Sequence, residues 1–364
     1  MSDALLPEGF RDRLPPFADA AARFEDAVLG VARGYGYERV DPPLVEFEAS
    51  LAGRLGGAGT RAAVRFVDPH SQRTLAIRPD ITAQIGRIAA TRLAANPRPV
   101  RLSYAGAVLR LRAAPLDPAR ERRQVGCELI GRDSVAAASE IVAVAVAALN
   151  AAGVSGLSLD FTFPDLVDAL AAGPLPLAPE RIEPVRAALD AKDAGKVADL
   201  APAYLPLIAA AGPFDQALAR LRAFDGTGVL ASRLDGLAAI AAGLASVRLT
   251  LDPTERHGFE YQSWFGFSLF ADGVAGEIGR GGSYRIHRDG GAEPATGFSL
   301  FPDMLAAAAV DDRRRLWLPL GTDPALADRL RGEGWVAVAA LDDTDSAAAQ
   351  LCTHVLGDGM CRPL

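Results

Sequence analysis

Residues 123–131, RQVGCELIG, read as a strand whose two-residue period puts Gln124, Gly126 and Glu128 on one face and Val125, Cys127 and Leu129 on the other. An amide and a carboxylate separated by a glycine form a polar floor with a gap in it. The gap suits a small polar ligand, and the same pattern suits a solvated sheet face. Three further groups stand on elements expected beside that strand: Asp80 at a strand-to-helix turn, Arg110 on the partner strand, and Arg256 ahead of the strand bearing Tyr261. Acids take an ammonium and arginines a carboxylate, so these groups gathered in one concavity would suit a zwitterion. Taken singly, each suits a surface ion pair equally well.

A second polar stretch, GEIGRGGSYRIHRDGGAEPATGFSLFPDML at residues 276–305, has the glycine content of a loop built around a ligand. Its Gly279, Gly281 and Gly282 are expected to serve tight backbone geometry rather than a bound phosphate.

The elements that must position these residues follow from periodicity. Phe17, Ala21, Phe24, Val28 and Val31 recur at helical spacing, with prolines ahead and Gly34 behind, giving a helix over about 15–33. The Pro42–Pro43 pair in ERVDPPLVEFE excludes a central strand and points to an edge or an interface. QRTLAIR at 72–78 reads as a strand leading into a helix with Ile81, Ile85, Ile88 and Leu93 on its buried side. VRLSYAGAVLRLR and RQVGCELIG form a long antiparallel hairpin. A helix over 134–153 and a strand over 156–163 follow, then an Ala- and Leu-rich block to about 245 that reads as an insertion of short helices. Strands resume at SVRLTLD and FEYQSWFGFSLF. The fold class expected is α+β: residues 1–305 form a core sheet flanked by helices, with 164–245 inserted, and 306–364 form a short βα-type unit.

Composition narrows the function. The chain has 364 residues, 50% hydrophobic, enough to bury a substantial core. No apolar run reaches the roughly 18 residues of a membrane span and no leader opens the sequence, so no membrane partner and a cytoplasmic address are expected. A net charge of −7 disfavours a nucleic-acid partner. Three scattered cysteines and four histidines lack metal-ligand spacing, so no metal and no cofactor are expected. Neither a dinucleotide fingerprint nor a P-loop is present.

The order LPEGFRD, YGYERVDPPLVE, LAIRPDITAQ, LSYAGAVLRLR, RRQVGCELIG, GRGGSYR and ATGFSLFPDML resembles the catalytic core of the histidyl-tRNA synthetases, over about residues 5–305. The resemblance implies a class II synthetase-like antiparallel sheet flanked by helices, dimerised around Pro43. It also implies a histidine pocket. Asp80 and Thr82 match the family's acid and threonine that hold the amino group, with Asp80 one methylene shorter than the glutamate. Gln124 and Glu128 match the histidine-contacting pair, Arg110 would lie near the carboxylate, and Arg256 and Tyr261 match the histidine-specific Arg and Tyr.

The nucleotide side departs from that pattern. Met304 stands where the family's third motif places a phosphate-binding arginine, Arg112 replaces an acid, and the nucleotide-gripping loop arginine falls at Pro118. Positive groups set against developing charge each contribute on the order of several kcal/mol to adenylyl transfer, so its loss is expected. The 59 residues after 305 are also short of an anticodon-binding domain of about 100 residues. These losses make the chain similar to the regulatory-subunit family of ATP phosphoribosyltransferase, which IRPDITAQIGRIAATRL and RLSYAGAVLR also resemble. That resemblance implies a non-catalytic subunit, self-dimeric within a hetero-oligomer. It would assemble with the short-form catalytic subunit in the first step of histidine biosynthesis and bind L-histidine for feedback. A stand-alone histidine sensor or a residual adenylating enzyme are the alternatives.

Overall fold

The computed structural model describes residues 5–52, 63–112, 118–256, 262–288, 291–306 and 313–364. The chain divides into two compact units, Met1–Ala308 and Ala309–Leu364. Strands of the first unit are, in chain order, β1 Glu38–Arg39, β2 Val45–Phe47, β3 Val64–Val67, β4 Thr74–Ile77, β5 Val100–Leu109, β6 Glu121–Ile130, β7 Leu157–Thr162, β8 Gly212–Pro213, β9 Arg248–Asp252, β10 Gln262–Ala271, β11 Gly279–Arg288 and β12 Gly291–Leu300.

Nine of them form one sheet in the order β1-β5-β6-β12-β11-β10-β7-β9-β8, while β2, β4 and β3 form a small separate sheet. The large sheet is mostly antiparallel, with parallel pairs β1–β5 and β7–β9. The architecture is the α+β class read from the sequence. The glycine-rich stretch is not the loop its composition suggests, because Gly279–Arg288 and Gly291–Leu300 are two ten-residue strands at the centre of the sheet.

Strand alternation sorts the residues of β6 by face. Val125, Cys127 and Leu129 join the main core beneath the helices Phe17–Gly34 and Val135–Ala151. The second of those helices is apolar on most sides because it packs against both the first helix and the sheet. Its start is capped by Ser134, whose hydroxyl accepts from Ala137 N. Gln124 and Glu128 point to the opposite face, under the helix Thr82–Ala90, where Ile81, Ile85 and Ala89 pack with Leu102, Tyr104, Tyr284 and Ile286.

The Pro42–Pro43 segment lies between β1 and β2 rather than within a strand. Pro42 is buried and Pro43 exposed. The block after β7 is chiefly helical, and its Gly212–Pro213 pairs with β9 at the sheet edge. The second unit orders its sheet β14-β13-β15-β16, from β13 Arg315–Leu318, β14 Val336–Ala339, β15 His354–Gly357 and β16 Met360–Pro363, with the helix Pro324–Gly332 between β13 and β14. Leu316, Leu318, Leu330 and Leu356 form its core. Among the described residues no helix is long and apolar enough to cross a membrane.

Candidate functional site

The strand β4 ends in the turn Arg78-Pro79-Asp80, from which the helix Thr82–Ala90 departs over the polar face of β6. Arg78 fixes that turn. Its guanidinium donates to Ala107 O, Pro42 O and Gln84 Oε1, and it lies in the space a side chain at Gly106 would fill. Gln84 in turn donates to Pro43 O and Glu46 Oε1, and Arg87 pairs with Glu46. The turn bearing Asp80 is therefore tied to the Pro42–Pro43 segment through buried polar contacts.

Asp80 Oδ1 accepts from Thr82 N at 2.7 Å and Oδ2 from Gln124 Nε2 at 3.0 Å. Gln124 Nε2 also donates to Ser299 Oγ at 2.7 Å, and its Oε1 accepts from Ile81 N. Ser299 and Tyr104 share a hydrogen bond of 3.0 Å, and Tyr104 Oη donates to Glu128 Oε1 at 3.2 Å. Tyr284 Oη donates to Glu128 Oε2 at 2.6 Å. Asp80, Thr82, Gln124 and Glu128 thus meet in one hydrogen-bonded cluster, buried at its inner end, where Gln124 and Glu128 are each 1% exposed, and half-buried at Asp80. Tyr104, Tyr284 and Ser299 belong to it equally.

The gap at Gly126 is not an empty ligand space. A methyl there would lie 2.6 Å from Tyr104 Oη, so the phenol from β5 fills the place between Gln124 and Glu128. Glu128 similarly occupies the volume above Gly297, directly opposite it on β12. Farther along the central strands, Gly281 makes room for the Phe267 ring and Gly279 for Leu300. Both also let the neighbouring backbone come close, since a methyl would meet Gly297 O at Gly281 and Ser299 O at Gly279, so the close packing occurs in regular strand rather than in a loop.

Burial drives the electrostatics. Removal from water, then the Asp80 charge, pushes the Glu128 carboxyl up to about 8 against the opposing pull of hydrogen bonds from Tyr284, Thr82 and Tyr104. Burial and the Glu128 charge push the Tyr104 phenol upward. Near neutral pH the cluster therefore holds a protonated Glu128 among neutral hydroxyls.

A second polar region collects arginines. Arg110, one residue beyond β5, is held below its ordinary value by burial and then by Arg280, with Asp80 and Glu277 acting the other way. Its side chain is not among the hydrogen-bond partners of Asp80. Arg122 is pushed down to about 10 by burial, then by Arg110 and Arg280. Arg122 also lines a cavity of about 550 Å3 with Phe10, Arg11, Pro118, Val274, Asp303 and Met304. Pro118 and Met304, far apart in sequence, are thus brought to one cavity. Arg112 is exposed and does not line it. One wall is the segment carrying Phe10, pinned where Arg13 pairs with Asp303 and Glu121.

Arg256 lies elsewhere. Its guanidinium pairs with Glu183 at 2.7 Å and its backbone N–H donates to Asp190, both on the helix Pro179–Asp190. Tyr261 lies outside the described residues. Among the described residues no group of three His, Cys, Asp or Glu side chains is placed to hold a metal ion.

Comparison with known proteins places this arrangement among relatives. Residues 9–305 match the family model described as histidyl-tRNA synthetase. The chain is 44% identical to an ATP phosphoribosyltransferase regulatory subunit of Paramagnetospirillum magneticum, covering 98% of this chain and 97% of the relative. It is 43% identical to a protein of the same name from Rhodospirillum centenum, over 100% and 97% of the two chains. The solved structure of an ATP phosphoribosyltransferase regulatory subunit/histidyl-tRNA synthetase from Bacillus halodurans superposes with a TM-score of 0.80 at 24% identity, covering 96% and 97% of the chains. A histidyl-tRNA synthetase from a Nostoc species gives 0.79 at 15% identity, over 98% of this chain and 91% of that one. These two structural likenesses speak to the fold.

Proposed function

This chain belongs to the ATP phosphoribosyltransferase regulatory subunits, a non-catalytic family, and from that premise we propose that it binds L-histidine in the acid cluster and controls a separate short-form catalytic subunit. The observation that carries the reading is the contrast within the sheet. Asp80, Thr82, Gln124 and Glu128 meet in one buried cluster suited to a nitrogen cation, while Met304 and Pro118 line the cavity where the resemblance puts phosphate-binding arginines. Asp80 and Thr82 would take the ammonium, Gln124 and Glu128 the side chain, and Arg110 the carboxylate. Arg256 and Tyr261 complete the set by resemblance, and Arg256 would leave Glu183 to join it. Because the cluster's groups already bond one another, histidine must exchange partners with them, which gives binding a means to shift the protein between states.

The catalytic subunit would form phosphoribosyl-ATP in the first step of histidine biosynthesis, in the cytoplasm, requiring this chain for activity. A coupling free energy of about 1–3 kcal/mol between the histidine site and the partner would suffice for feedback. Self-dimerisation near the exposed Pro43 and a synthetase-like core over residues 1–305, with 306–364 as a separate unit, belong to the same proposal.

The test is phosphoribosyl-ATP formation by the short catalytic subunit with and without this protein, across a histidine series. Activity that appears on addition and falls with histidine is the expected result, with Glu128→Ala and Asp80→Ala relieving the inhibition. Activity indifferent to this chain would discard the partner assignment, and inhibition untouched by both substitutions would discard the site.

A further inference from the structure

The surroundings of Glu128 are unusual for a buried carboxyl because no cation hydrogen-bonds to it among the described residues. Tyr104 faces it from β5 and Tyr284 from β11, Gly297 and Ser299 lie across from it on β12, and Thr82 and the acid Asp80 approach from the helix start. Cys127, beside it on β6, turns to the opposite face. A carboxylate so placed has hydroxyl partners and a second acid, but no countercharge hydrogen-bonded to it among the described residues. A buried ion without countercharge is costly, and the group keeps its proton instead.

Resting on the histidine reading above, we propose that Tyr104 and Tyr284 are positioning residues that aim and tune Glu128, and that the site takes a ligand with a basic ring nitrogen by sharing one proton with it. On binding, the Glu128 O–H bond opens with its electron pair left on the carboxylate, and an N–H bond forms on the ring. The complex keeps the same net charge as its separated parts, so the ion pair arises inside the pocket without a charged ring having to be dehydrated first. A ligand lacking a basic ring nitrogen gains no such pair, which makes the shared proton a means of discrimination among amino acids.

The proton count fixes a pH profile. An unperturbed imidazole titrates at about 6.5, and burial pushes the Glu128 carboxyl up to about 8. Between these values the free site holds one proton, the free ring none and the complex one, so affinity is flat. Above pH 8 the empty site has lost its proton and must regain it to bind, so affinity falls toward tenfold per pH unit. Below the ring's value the free partners hold two protons and the complex one, so affinity falls there as well.

The experiment is calorimetric titration of the full chain with L-histidine between pH 6 and 9.5, on the wild type, Glu128→Gln and Tyr284→Phe. The ligand's amine titrates identically in all three, so ratios of Kd isolate the site. The wild type should weaken about fivefold more than Glu128→Gln between pH 8 and 9. Tyr284→Phe removes a hydrogen bond that favours the carboxylate, and should move the break at pH 8 upward, a change that loss of packing alone would not produce. Histidine binding with the same pH dependence in all three proteins would overturn the shared proton and leave the histidine site standing. No histidine binding at any pH would overturn both.

Discussion

Two polar regions of one sheet are built on opposite terms. Around Glu128, acids are matched by hydroxyls and an amide whose hydrogen bonds close on one another. Around Arg122, guanidinium groups press on one another and border a cavity of about 550 Å3 walled partly by Met304 and Pro118. Under the reading proposed above, a ligand of the first region would have to exchange partners with hydrogen bonds that already close on one another. The second has lost the residues that would close it on a phosphate, under the reading proposed above. Under the same reading, recognition without turnover is the division that these two sets of side chains would express.

The sharpest way to break the contrast is Gly297→Ala. Its methyl collides with Glu128 Oε2, so the carboxyl must leave its place between the two phenols. Histidine inhibition should fall by about 100-fold or more, with a stability loss of about 1–3 kcal/mol in chemical denaturation. Unchanged inhibition would mean that Glu128 is not where histidine is read.

Next comes Glu128→Gln, whose effect depends on pH. Below the ordinary value of 4.5 folded and unfolded chains both hold the proton, and Glu128 contributes nothing. Between 4.5 and about 8 the unfolded chain ionises and the folded one does not, so stability falls as pH rises and levels off above 8. The variant should lack this decline and gain on the wild type by a few kcal/mol between pH 4.5 and 8, as read from denaturation midpoints. Parallel pH profiles would contradict a protonated Glu128.

On the arginine side, Arg13→Ala takes the guanidinium away from the buried Asp303, which keeps the Arg123 N–H at 2.7 Å. A cost of about 2 kcal/mol is expected, with the histidine affinity unchanged. The smallest effect belongs to Met304→Ala, which trims one wall of the cavity. Activation of the catalytic subunit should stay within about threefold, and stability should drop by about 1 kcal/mol. Met304→Arg, returning the family's residue, should still show no histidine-dependent exchange of pyrophosphate into ATP.

Local patterns carried much of this into view. The alternation of β6 sorts its polar face from its core face, and the helical spacing of Ile81 and Ile85 sets the element above it. Tyr104 and Tyr284 were not legible, because each reaches Glu128 from another strand and nothing local distinguishes a tyrosine aimed at an acid from one in a core. The glycines misled for the same reason. Their space is claimed by residues distant in sequence, so composition alone read them as a loop and a gap. Arg256 matches a motif by spacing, yet spacing says nothing about the competing acid Glu183, 73 positions away.

The glycines that face large side chains have a consequence for how such sequences can diverge. Gly297 with Glu128 and Gly106 with Arg78 are each one volume shared by two positions. Neither member can change freely while the other stays: the glycine accepts a methyl only where its partner has shrunk, and the partner can shrink only at the cost of a void. Substitutions should therefore arise in pairs at these positions across an alignment, and single exchanges should survive only as transient, conditionally folded intermediates.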